Sequence, residues 1–204
     1  MSTSPSPSPS PEQIRSLAQR AQIFGLPDRQ SLSTDLRAIL TNANSESRLL
    51  TEEEINCVCH HSGVTPSPLI QLQTQVPDLV DRAREALLGQ QPGLVRPGGA
   101  LFPQERADAC WRDCFHFLRI SLYAVAAGES NFTDPSGLNA MEELYSILKV
   151  PVPALLIALT HLRDLACEAY SRERSNHDED LLKSALNHLI KKMSAFQLDH
   201  DQGS

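Results

Sequence analysis

The sequence predicts an all-α domain, on three observations. Apolar residues recur at spacings of three and four along most of the 204 residues, the period of a helix with one buried face. No segment shows the strict alternation of a half-buried strand. Capping residues, prolines at helix starts and glycines past helix ends divide the stripes into about seven or eight segments of mixed length with irregular connections. Such a set suits a globin-like packing better than an up-and-down bundle.

In chain order, residues 1–11 read MSTSPSPSPSP. Proline alternating with small hydroxyl residues favours extended conformers and offers nothing to bury, so a disordered tail is expected. Residues 12–32 read as an extra N-terminal helix and linker. Ile14, Leu17, Ala18, Ala21 and Phe24 form one stripe over Glu12 to Phe24, ended by Gly25-Leu26-Pro27. The main domain is expected over 33–196, and a short tail over 197–204. Its first helix runs from about Ser33 to Asn42 on Leu36, Ile39 and Leu40, and Thr51 with Glu54 forms a capping box that starts the next. Beyond Pro77, Leu79, Val80, Ala83, Ala86 and Leu87 make a strong stripe, followed by the proline- and glycine-dense QQPGLVRPGGALFP. Three more helices are expected at about Glu105 to Ala127, Asp134 or Gly137 to Leu148, and Pro153 to Arg172. In the first of these, Trp111, Phe115, Leu118 and Leu122 mark the core face. A final helix from about Asp178 to Phe196 buries Leu181, Leu182, Ala185, Leu189 and Met193.

Composition narrows the function classes. With 41% hydrophobic and 21% charged residues the chain is of ordinary globular type. A formal charge of −7 and an isoelectric point near 5.5 leave no basic face for a phosphate backbone, so nucleic acid is not expected as a partner. No apolar run reaches the roughly 20 residues of a spanning helix, and no secretory signal is recognised at the N-terminus. The expectation is a cytoplasmic protein, able to reach a membrane surface through a partner. Five cysteines, an odd number, argue for reduced thiols. Cys57-Val58-Cys59-His60-His61 lacks the two separated ligand pairs of a structural zinc site, so no metal is expected there.

The residues that carry chemistry lie between Gln91 and Pro151. In order they are QPGLVRPGG, Arg106 four residues before Cys110-Trp111-Arg112-Asp113, Leu118-Arg119, the YAVAAG of Tyr123 to Gly128, and Leu148-Lys149-Val150-Pro151. Arg106, Cys110, Asp113 and Phe117 are spaced four, three and four, which puts them on one face of a helix. Arg112 falls off that stripe. The residue types suit a ligand that carries acid groups: a thiolate is a nucleophile whose pKa nearby arginines lower, and arginine forks match carboxylates. Cys110 and Cys114 could equally be small buried residues, with Arg112 and Asp113 a solvated pair. His116 sits on the same helix as Cys110, which gives it no separate proximal position for haem, and His161 reads as a core-edge histidine.

This motif series, in order and spacing, resembles the chromophore region of the phycobiliprotein (phycobilisome protein) family. The similarity extends back through ILTNANSESRLLTEEEI and forward to HLIKKMSAF, over about residues 35 to 196. The resemblance implies a globin-like fold with an N-terminal helical arm and pairing with itself or a related subunit. It also implies a bilin, a linear tetrapyrrole of the phycocyanobilin type, joined by a thioether to the cysteine of C-x-R-D, here Cys110. By the same match Arg106 and Arg112 would meet the bilin propionates and Asp113 the central pyrrole nitrogens. The arm around Leu36, Ile39 and Leu40 would present an exposed apolar face to the partner. The chain departs from the family pattern at Ala100, where β-type antenna subunits carry asparagine, and at Glu129, where aspartate is usual. It departs again in its extra N-terminal segment. The implied function is light harvesting or light sensing in or near the phycobilisome, and through it a place peripheral to the thylakoid. The alternative is a non-antenna globin associated with bilin biosynthesis. No constellation points to an enzyme.

Overall fold

The computed structural model describes residues 9–171 and 176–197. These form nine α-helices, and the described residues contain no strand beyond one isolated bridge between Phe24 and Thr133. The expected all-α class holds. The helices are α1 (Pro11–Arg20), α2 (Thr34–Ser45), α3 (Glu52–Ser62), α4 (Pro66–Thr74), α5 (Val76–Gln90), α6 (Gln104–Ala126), α7 (Pro135–Leu148), α8 (Val152–Ser171) and α9 (Asn176–Ser194).

Local chemistry sets most boundaries. Ser10 caps α1 in a reciprocal box with Gln13, with Pro11 at the first helical position. Helix α1 therefore begins inside the segment read as tail, and the rest of that tail, residues 1–8, lies outside the described residues. Helix α1 also stops at Arg20, although Ala21 and Phe24 continue its stripe. The chain there turns extended, because Ile23 to Gly25 pairs with Phe132 to Asp134. Thr51 and Glu54 form the expected capping box of α3, and Arg48 reinforces it with a two-pronged ion pair to Glu54 at 2.6 and 2.8 Å. Asp134 caps α7 through the Gly137 amide.

Helix α6 is the axis of the fold. At 23 residues it is about 34 Å long. Its C-terminal half, from Phe117 to Ala126, is buried on every side beneath α3, α4, α5, α8 and α9. Its N-terminal half keeps one face open, and the chemical residues stand there. Helices α5, α8 and α9 pack on one another around it, while α1 lies on α7.

The arm behaves differently from the expectation. Leu36 and Leu40 of α2 are 3% and 0% exposed and belong to the main core, with Ile39 half-buried at its edge. The stripe read as a partner surface is covered by the chain's own domain. Polar contacts lock it there: Arg119 donates to the Ala43 carbonyl and to Asn44 Oδ1, and the Tyr123 hydroxyl donates to the Arg48 carbonyl.

Candidate functional site

A cavity of about 630 Å³ opens along the N-terminal half of α6, within the ~300–1,000 Å³ usual for small-molecule sites. The four site residues read from the sequence, Arg106, Cys110, Arg112 and Asp113, all line it. The helical stripe brings Arg106, Cys110 and Asp113 together as expected. Arg112 is exposed and off the stripe, and reaches the cavity along its side chain.

The loop before α6 sets the cavity rim. Gly98 has φ +86°, in the left-handed region that disfavours a side chain, and a Cβ on Gly99 would lie 2.2 Å from the Gly93 carbonyl oxygen. The Pro97-Gly98-Gly99 element is thus a tight reversal of the loop on itself. Arg106 ties this loop to α7. Its Nε donates to the Ala100 carbonyl at 3.0 Å, and its terminal nitrogens donate to Leu148 and Lys149 carbonyls at 3.1 and 2.8 Å. The guanidinium caps the C-terminal end of α7, and three of its five N–H groups are engaged. Spacing alone could not reveal this role, because the carbonyls lie more than 40 residues downstream.

Cys110 is 7% exposed and lies beside Cys114 one turn on. That contact and burial raise the Cys114 thiol well above its ordinary pKa. Asp113 is held by the Tyr145 hydroxyl, which donates to Oδ2 at 2.8 Å. Burial pushes the Asp113 carboxyl up, against the opposing pull of Tyr145 and Arg112. Tyr145 in turn is raised well above its usual value by burial and by Asp113. Sequence reading missed Tyr145, since 32 residues separate the pair.

Two further polar groups line the cavity. Half-buried His116 is lowered by burial and by Arg119 and Arg112, and its Nδ1 has no partner. Arg119 is 4% exposed, donates to Tyr123 Oη at 2.8 Å, and leaves Nε unpaired. Elsewhere, Cys59 is buried while Cys57, His60 and His61 are exposed. Among the described residues no group of three or more His, Cys, Asp or Glu stands close enough to hold a metal. His161 pairs with Gln90 at 2.8 Å, and Glu129 lies away from the cavity near Arg29.

The fold and this cavity define a globin-like helical protein with a cavity lined by three arginines and by apolar side chains. Comparison with known proteins makes the class specific: the phycobilisome protein family model matches residues 38–193, and the chain belongs to that family. The allophycocyanin alpha chain of Thermosynechococcus vestitus is 28% identical over 66% of this chain and 85% of its own length. Allophycocyanin subunit beta-18 of Porphyra purpurea is 29% identical over 60% and 72%. Allophycocyanin subunit alpha-B of Synechocystis is 36% identical over 48% and 61%. The family is one of light-harvesting pigment proteins and not of enzymes. Among the described residues no helix is long and apolar enough to cross a membrane.

Proposed function

We propose that this protein holds a linear tetrapyrrole of the phycocyanobilin type in the α6 cavity, tethered at Cys110, and serves light harvesting or light sensing in or near the phycobilisome. The observation that carries this reading is the convergence of Cys110, Asp113, Arg106 and Arg112 on one cavity. The unpaired His116 Nδ1 and Arg119 Nε, on residues lining that cavity, fit a ligand that brings polar atoms of its own. Bound there, a bilin supplies the visible absorption.

The chain's residues divide the remaining work. Cys110 would hold the bilin through a thioether, its S–H adding across a side-chain double bond of the terminal ring, so that nothing would be oxidised or reduced. Arg112 and the two free N–H groups of Arg106 receive the carboxylates as charge-assisted forks. Asp113 accepts from the inner pyrrole N–H groups, which favours its ionised form and offsets the burial that raises it. Tyr145 fixes the orientation of that carboxyl. The alpha- and beta-type names among the relatives support a second phycobiliprotein-like subunit, or a second copy, as partner.

The reading is tested by co-expression with bilin-making enzymes and an attachment lyase, followed by denaturing electrophoresis with zinc-enhanced fluorescence. A fluorescent band is expected from the parent chain and none from Cys110→Ala. A band that persists in Cys110→Ala would sink the tether. A visible band that is lost on denaturation would instead favour the second reading, a non-antenna member that binds bilin without attachment. The inward-folded arm favours that reading.

A further inference from the structure

Helix α1 lies outside the span that matches the family, yet it forms part of the cavity. Its docking is specific. Leu17, 2% exposed, packs with Ala140, Met141, Leu144 and Ile147 of α7, apart from the main core. Behind it the chain is pinned to the start of α7. Gly25 N–H donates to the Phe132 carbonyl and Asp134 N–H to the Ile23 carbonyl, both at 2.8 Å. A Cβ on Gly137 would lie 2.0 Å from the Gln22 carbonyl oxygen, so the backbone of α7 makes room for this crossing.

The contact with α7 does not use the whole apolar stripe of α1. Ile14 and Ala18, four apart, line the cavity, Ile14 half-buried and Ala18 exposed, and Ala21, just past the helix and packed with Leu17 and Ala140, lines it too. Helix α6 contributes the charged side chains Arg106, Arg112, Asp113, Arg119 and Glu105 together with some apolar ones, while the N-terminal segment, Gln22 apart, contributes only apolar side chains, these three with Ile23 and Phe24. A ligand with acid groups and a flat apolar body fits both halves at once.

We propose that α1 is a built-in wall of the ligand cavity, whose Ile14 and Ala18 contact the apolar body of the ligand and, with Ala21 just beyond the helix, close Cys110 from water. The identity of the ligand rests on the bilin reading above, whereas the closure of Cys110 is independent of it. One chain thereby supplies both the polar anchor and the apolar cover of its own site.

The test uses the full chain in two states. In the ligand-free state, Leu17→Asp unseats α1, and alkylation of Cys110 by a bulky maleimide, followed peptide by peptide, should accelerate roughly tenfold as the thiol becomes accessible. Cys59, fully buried in the main core, is the control and should keep its slow rate. An unchanged Cys110 rate overturns the wall. Ala18→Trp, which keeps the Leu17 anchor, guards against general unfolding. It should slow Cys110 alkylation and, in cells that make bilin, reduce loading several-fold or shift the visible band. Loading and spectrum identical to the parent would overturn the ligand contact. A parent chain that takes no bilin at all refutes the bilin reading, and the alkylation rates then judge the wall alone.

Discussion

Asp113 shows how one buried carboxyl links stability to ligand binding. Its proton affinity is raised in the folded chain, chiefly by burial. Between the ordinary carboxylate value of about 3.9 and the higher folded value, the folded state therefore holds more protons than the unfolded state. Stability must fall as pH rises through that interval. Asp113→Asn removes the titration while an amide oxygen can still accept from Tyr145. In the ligand-free protein this variant should be the more stable of the two at pH 7, and urea unfolding should show the gap closing as pH falls toward 4. A parent that gains on the variant as pH rises would show that the carboxylate is stabilised by its surroundings. The pairing of Asp113 with Cys110 and Arg106 on one face was legible from spacing alone. Its partner Tyr145 was not, because nothing local marks a contact between α6 and α7.

At the scale of elements, α7 illustrates a helix held at both ends by side chains. Asp134 serves its first turn, and Arg106, reaching from α6, serves its last carbonyls. Arg106→Ala should cost about 1–2 kcal/mol, the range for a charged group bonding a helix C-terminus. Hydrogen exchange in the last turn of α7 should rise at the same time. A loss of affinity for ligand with no change in stability would assign Arg106 to the ligand alone. Element reading from sequence succeeded where apolar stripes were long, as in α5, α6 and α9. It missed α4, whose nine residues carry Pro66 and Pro68 and two glutamines. Both prolines fall in the first turn, where a missing N–H is tolerated, and Gln73 turns inward to exchange hydrogen bonds with the Leu50 backbone. It also overran α1, since the apolar period continues through Phe24 while a backbone pairing with Thr133, more than 100 residues away, ends the helix.

Across the whole molecule the arm is part of the core. Leu40 is fully buried among residues from several helices, so Leu40→Ala should destabilise the entire domain by about 2–5 kcal/mol. Calorimetry should show one transition moving to lower temperature. A separate early transition, with the main one unmoved, would mean that α2 is an independent appendage. The sequence placed the apolar stripe correctly but could not say which surface it covers, because periodicity records a buried face and not its neighbour. Arg119, which helps fasten the arm, carries a further consequence. Its hydrogen bonds go to the Ala43 carbonyl, Asn44 Oδ1 and Tyr123 Oη, none of them a carboxylate. Its positive charge is thus held at the cavity wall by neutral groups that bring no countercharge of their own. A conjugated molecule bound there would lie in the field of that cation. The colour of such a pigment would then carry an electrochromic bias whose position is fixed when the chain folds.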